Sequence, residues 1–186
     1  MSRAPQMRRA DRAMGEEHAQ QMLATGFCGR LATVGVDGWP YVVPFLYVWM
    51  DRQVFIHRTS SGGHLAANLG ANPRVCFEID APEEVFAYGR YECDTGFAYA
   101  SVIAFGSMRI VEDSEQKTRF CIELMRKYAD ADWGRPQGFF PRLGEIDVYA
   151  MTIDRLTGKQ TALPGISERW PELDRTKSPN VKPPLS

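Results

Sequence analysis

The sequence predicts a mainly β protein, a six-stranded antiparallel barrel with peripheral helices. Three observations carry that expectation. Six apolar or alternating runs have strand length, most are joined by short reversals, and only three segments show helical spacing. With 186 residues against about 150 per domain, one unit is expected, and a chain of this size buries about 70% of its unfolded surface. We place that domain at 1–163 and a Pro-rich tail at 164–186, where five of the twelve prolines fall.

Taken in order, Glu16 to Thr25 is rich in helix formers, and Gly26 stands where a helix-ending glycine belongs. FCGRLATVG and YVVPFLYVW flank Asp37-Gly38, a dipeptide suited to a tight hairpin because glycine takes positive φ readily. Asp51-Arg52 reverses the chain again into QVFIHR. The Ser/Gly-rich TSSGG then leads into HLAANLGAN, a short helix stopped at Asn72-Pro73. RVCFEID alternates with a period of two. A looser stretch follows, with Pro82, Gly89, Gly96 and a Glu83-Glu84 pair expected in a solvated turn. AYASVIAFGSMRIVED reads as one long strand bent at Gly106. Ser114 heads a helix to Ala129, with Phe120, Leu124, Met125 and Tyr128 at helical spacing. A turn-rich link leads to a last strand, IDVYAMTIDRL, expected to end at Thr157-Gly158. The tail is expected to be extended, with Trp170 as its anchor.

Composition excludes several classes. The chain is 44% hydrophobic and 24% charged, with a formal net charge of −1, which argues against a nucleic-acid-coating protein. The longest apolar stretch, Tyr41 to Met50, has ten residues and contains Pro44, against about 18 needed for a membrane helix. The basic N-terminus (Arg3, Arg8, Arg9, Arg12) is followed by no apolar signal region, so a cytoplasmic location is expected. Cys28, Cys76, Cys93 and Cys121 lack metal-ligand spacing and are expected to be reduced, with no metal bound. Because Tyr41 to Met50 has no polar face, its outward side should also be covered, and a homodimer is the explanation.

The one feature suited to binding an anion is His57 to His64, HRTSSGGH, at a strand-to-helix junction. Helix-start N–H groups, the hydroxyls of Thr59, Ser60 and Ser61, close backbone approach at Gly62 and Gly63, and the charge of Arg58 suit a phosphate. An ordinary capped turn fits the same residues. Within the loop, His57 is either a proton-transferring group or a buried structural imidazole, while His18 is taken as solvent-facing. No nucleotide-triphosphate loop, dinucleotide fingerprint, serine nucleophile elbow or H-E-x-x-H is present. Trp39, Phe45, Tyr47, Trp49, Phe97, Tyr99 and Phe105 form an aromatic set expected in core or dimer packing, or as a stacking surface for a planar ligand.

GRLATVGVDGWPYVVPFLYVW, VFIHRTSSGGHLAANLGANPRVCFEID, YASVIAFGSMRIVED and VYAMTIDRLTGK occur in that order. Together they resemble the pyridoxamine 5′-phosphate oxidase-like FMN-binding split barrels, in the branch with the nitroimidazole-resistance proteins, over about Arg8 to Pro164. The resemblance implies a six-stranded split barrel, a homodimer, and FMN in the cleft between subunits. It places Val43 and Pro44 along the isoalloxazine through backbone groups, and His57, Arg58, Thr59 and Ser60 at the ribityl chain and phosphate. Gly63 and His64 become the helix-start phosphate pair, and Ser101 lies near the flavin from the partner subunit. The C-terminal arginine and histidine segment of true pyridoxamine phosphate oxidases is not found, so vitamin B6 oxidation is not expected.

The function implied is an FMN-dependent oxidoreductase passing electrons to a small acceptor such as a nitroaromatic or quinone, with His57 as proton donor and reduced nicotinamide as a transient electron donor. The alternatives are a non-catalytic protein that binds or sequesters flavin or haem, and a deazaflavin-dependent reductase. Neither nucleic acid nor membrane is an expected partner.

Overall fold

The computed structural model describes residues 7–169, apart from 90, 131–133, 135 and 137. A 3-10 turn (Ala10–Arg12) and β1 (Ala13–Met14) precede α1 (Glu16–Thr25). Then come β2 (Gly29–Val34), β3 (Pro40–Phe45), β4 (Val48–Met50), β5 (Gln53–Thr59), α2 (His64–Ala71), β6 (Arg74–Ala87), β7 (Thr95–Ile110), α3 (Ser114–Tyr128) and β8 (Ile146–Thr161). The strands form one antiparallel sheet in the order β3-β2-β6-β7-β8-β5-β4, and β1 adds to β8. The expected mainly β, antiparallel architecture is present, with eight strands among the described residues rather than six.

One of the extra strands comes from a break. Tyr41–Trp49 was expected to be continuous, but it divides between the two edges of the sheet: β3 pairs with β2 and β4 pairs with β5. Only Leu46 and Tyr47 join these edges, and three Cα steps reach at most about 11 Å. The sheet is therefore rolled, with an unladdered seam between β3 and β4. The end of α3 satisfies the backbone at this seam. The Tyr47 N–H donates to Tyr128 Oη (3.2 Å), and Lys127 Nζ donates to the Tyr47 carbonyl (3.2 Å). Tyr128 Oη lies 2.8 Å from the Phe27 carbonyl and 2.9 Å from that of Tyr47, and its single proton serves one at a time.

The inside of the roll holds Leu31, Val54, Ile56, Phe77, Ile79, Val102, Ala104, Tyr149 and Met151, with Tyr47 across the seam. Leu23 and Ala19 of α1 close one end, and Leu65 and Leu69 of α2 close the other. Phe55, Val148 and Ala150 alternate with the inward residues and pack outside against Phe120, Cys121 and Leu124 of α3. Burial on both faces explains the unbroken apolar runs VFI and VYAM.

Several boundaries differ from those expected. β8 continues to Thr161, because Gly158 is not a turn: it lets Met14 and Ala19 pack directly on the strand. Glu83-Glu84 lies within β6, not in a turn, at a register shift between Pro82 and Val85 that accommodates the proline. The cap of α3 is Asp113, whose carboxylate accepts from the N–H groups of Glu115 and Gln116, with Ser114 inside the helix. Gly106 does mark an irregularity, a register shift against β8. Asp51 and Arg52 turn with φ of 52° and 58°. Trp170 and most of the tail lie outside the described residues. The tail's described end is held by Arg169, which donates to the Pro164 carbonyl (2.8 Å) and to Glu84 (3.1 Å). Among the described residues no helix is long and apolar enough to cross a membrane.

Two measurements test this packing. A Cβ on Gly29 would overlap the Phe77 ring, whereas one on Gly70 would meet nothing. Gly29→Ala should lower unfolding free energy by about 1–3 kcal/mol and Gly70→Ala should raise it by about 0.5–1 kcal/mol in denaturant melts. Burial holds the Lys127 ammonium down at about 8, below its unfolded value. Between those values the unfolded chain binds the extra proton, so stability should rise from pH 8 towards pH 10, and Lys127→Met should flatten that rise.

Candidate functional site

The glycine loop is built where β5 leaves the roll and α2 begins to close its end. Gly62 (φ 81°) and Gly63 (φ 111°, ψ 171°) both hold backbone that side chains resist, the second in a region that only glycine enters freely. No side chain caps α2, and its first-turn N–H groups have no intrahelical acceptors. The Ser60 N–H donates to the Glu145 carbonyl (3.0 Å), fixing the loop to the chain that enters β8. Thr59 Oγ1 and Ser61 Oγ lie 3.4 Å apart on the exposed rim.

Arg58 braces this loop from within. Its guanidinium donates to Asp147 (2.5 Å), its cross-strand partner on β8, and to the Gly62 carbonyl. The side chain is 13% exposed, and its charge is matched by Asp147 within one chain. Asp147 and Glu145 were not singled out in the sequence, because β5-to-β8 register joins residues about ninety positions apart and leaves no local signal.

His64, the first residue of α2, packs edge-on against Tyr41 of β3, with ring centroids 4.8 Å apart. The loop is thus beside the strand that carries Val43 and Pro44. β3 ends the sheet, so one side of its backbone is free of ladder partners among the described residues. Val43 lies opposite Leu31 and turns to the interior side, while Pro44 lies opposite Arg30 on the outer face.

His57 packs on the α3 side of β5. Its ring faces Phe120 of α3 at 5.7 Å, and its Nδ1 is buried without a hydrogen-bond partner. Burial pushes its pKa below the usual imidazole value, so it is neutral at pH 7. Ser101 stands far from the loop in the same chain. His57 pairs with Val148 and Ser101 with Lys159, and those partners, eleven positions apart, are separated by about 35 Å of strand. One chain therefore brings together Tyr41, Arg58, Gly62, Gly63 and His64, and leaves Ser101 at the other end of the barrel.

Among the described residues no helix packs on the outer face of β3-β2-β6-β7. Arg30 bridges Glu78 (3.2 Å) and Asp80 at its centre, and burial pushes the Glu78 carboxyl upward. Trp39, at 73% exposed, and Val42, at 58%, stand at its β3 side. Of the expected aromatic set, Tyr47 is fully buried, Phe45 and Trp49 pack on the inner core, and Trp39 and Phe97 are exposed.

Comparison with known proteins matches residues 15–160 to the family described as pyridoxamine 5′-phosphate oxidase. No curated protein sequence matches. Among solved structures, flavocytochrome Anf3 from Azotobacter vinelandii is similar at TM-score 0.72 and 17% identity, over 85% of this chain and 73% of that one. The FAD and heme binding protein from Mycobacterium smegmatis is similar at 0.68 and 19%, over 81% and 74%. A candidate 5-nitroimidazole antibiotic resistance protein from Bacteroides thetaiotaomicron is similar at 0.65 and 20%, over 80% and 86%. At these identities the shared property is the fold.

The buried imidazole makes one prediction independent of any ligand. With its folded pKa depressed, His57 contributes stability that is present above pH 6.5 and lost as pH falls and the unfolded chain takes up the proton. His57→Gln should reduce that acid-side loss in pH-dependent thermal melts.

Proposed function

Because this chain belongs to the pyridoxamine 5′-phosphate oxidase family, we propose that it is a flavin-binding protein of the cytoplasm, an FMN-dependent oxidoreductase whose phosphate seat is the Ser60–His64 loop. The observation that carries the reading is that loop: two positive-φ glycines open an uncapped helix start beside the free edge of β3. Gly62 and Gly63 leave room for an anion to reach the backbone N–H groups, and His64 and the Thr59 and Ser61 hydroxyls supply further donors.

In this reading Arg58 holds the loop open in shape through Gly62 and Asp147, and adds less charge to the phosphate than the sequence alone suggests. Val43 and Pro44 offer backbone along the ring edge. A flavin, when bound, supplies hydride or single-electron transfer that no side chain here provides. The small acceptor, a nitroaromatic or quinone, would take electrons at the exposed ring, with reduced nicotinamide as a transient donor. His57, kept neutral by burial with its Nδ1 enclosed, would offer the acceptor a hydrogen bond from Nε2–H rather than an acidic proton.

Two features support a homodimer in this reading. The exposed apolar residues of β3 need cover, and Ser101 can join a loop-bound ligand only from a second copy. That FMN rather than FAD is the flavin comes from the sequence resemblance. Relatives described as binding FAD, or FAD and heme, share the fold, so the bound pigment is the quantity to measure.

The test is an absorption spectrum of the purified protein with the released chromophore identified by mass, before and after anaerobic addition of reduced nicotinamide. Flavin bands that bleach and recover with a nitroaromatic or quinone are expected. A colourless protein that binds no added flavin, or one carrying a haem band alone, would refute the reading. Gly63→Ala should weaken FMN binding about tenfold, the factor for each ~1.4 kcal/mol. His57→Ala should change the pH profile of turnover.

A further inference from the structure

A charged island stands on the outer face of β2 and β6, and the flavin reading makes no use of it. Arg30 lies directly opposite Glu78 in the β2–β6 ladder, and Asp80 is two positions further along the same face. A single guanidinium nitrogen, Nη1, bonds both carboxylates, Glu78 at 3.2 Å and Asp80 more closely. Pro44 of β3 lies opposite Arg30, and Ile103 and Ser101 of β7 lie opposite Glu78 and Asp80. Cys28 of β2 stands beside Arg30, and Cys76 of β6 beside Glu78. Beyond β7, Thr157 and Lys159 of β8 lie opposite Ile103 and Ser101, so Lys159 is two strands from Asp80. Among the described residues no second cation pairs with either carboxylate.

One arginine against two carboxylates leaves the island with an excess negative charge. Water screens it while the face is open, since the Arg30, Glu78 and Asp80 side chains are 45%, 31% and 32% exposed. Burial already pushes the Glu78 carboxyl upward, with Arg30 opposing that shift and Asp80 adding to it. Covering the face removes the remaining water, and a carboxylate buried in excess of its partners costs more than one that has taken a proton. An island of both signs can meet its own image, because the arginine of one copy can serve a carboxylate of the next. Two copies nevertheless bring their two excess charges together, which favours the protonated form further.

We propose that the Arg30–Glu78–Asp80 island makes dimer formation proton-linked: each subunit takes up a proton on its Glu78–Asp80 pair as the face is covered, and the dimer tightens as pH falls. The inference rests on the homodimer of the proposed function and adds its regulation. The pair then titrates at higher pH in the dimer than in the free subunit. Between those two values dissociation releases protons, so Kd rises by up to about tenfold per pH unit for each proton released. Because the same reading puts the flavin between subunits, a rise in pH also loosens the flavin.

The test is sedimentation equilibrium of the full-length protein at a series of pH values from about 5 to about 8, over which Kd is expected to rise at least about tenfold. Glu78→Gln and Asp80→Asn each leave one arginine against one carboxylate. Both should dimerise at the upper end of that range about as tightly as the wild-type protein does at the lower end, with the pH dependence lost. Thermal melts establish that each variant is folded, and either one suffices. For a dimer too tight to separate by dilution, subunit exchange between isotope-labelled and unlabelled protein, followed by native mass spectrometry, should quicken with pH by the same factor. A dimer whose Kd and exchange rate stay flat with pH, or whose dependence survives unchanged in both variants, would overturn this inference and leave the homodimer standing. A monomer at every pH would overturn both.

Discussion

The two-residue crossing at Leu46-Tyr47 is the constraint on which the rest of the structure depends. A seven-strand path whose first and last members are joined this closely has to roll, and once rolled it leaves a seam where neither edge finds a ladder partner. Exposed edges are costly and invite pairing with other chains. Here the Tyr47 backbone is served by Tyr128 and Lys127 instead. Placing the end of α3 over the seam lays the whole helix along β5 and β8, which creates the second core around Phe120. The cost is a half-buried ammonium, held 3.9 Å from the Tyr47 ring centre by cation–π attraction.

α3 covers one side of the roll, and among the described residues the opposite side, β3-β2-β6-β7, has no helix over it. That asymmetry accounts for the two fates of the apolar run at Tyr41–Met50. Val48 is covered by α3, whereas Val42 and Pro44 remain outside on the bare face. From sequence alone, the whole run calls for cover by a second copy of the chain. The α3 helix supplies it for β4, and only β3 is left for a partner.

The features legible in the sequence were those with short-range causes. Asp37-Gly38, Asp51-Arg52, Gly106 and the three helices each rest on residues adjacent along the chain, and each stands at or within a residue of its expected place. The glycine loop was legible for the same reason, since Gly62 and Gly63 are needed by the local backbone. What escaped the reading depends on register. Asp147 meets Arg58, Tyr41 meets His64 and Gly158 meets Met14 only through strand pairing between distant segments. The break at Leu46-Tyr47 was hidden because both halves have strand composition, and only α3, eighty residues on, separates them.

Register also determines what one subunit can do alone. The groups at the α2 end are anion-seating backbone and hydroxyls, with the Arg58 charge already consumed by Asp147. Ser101 and Lys159 stand at the α1 end, paired across β7 and β8. A long anionic ligand would have to meet the first set on one chain and the second on another, because a strand about 35 Å long separates them within a chain. In the proposed homodimer, the sheet face between the two ends, with the Arg30–Glu78–Asp80 cluster as its charged centre, is the surface a second copy would cover. Under the proposed dimer, the same lack of cover on β3 that makes the isolated chain incomplete also makes the ligand site composite.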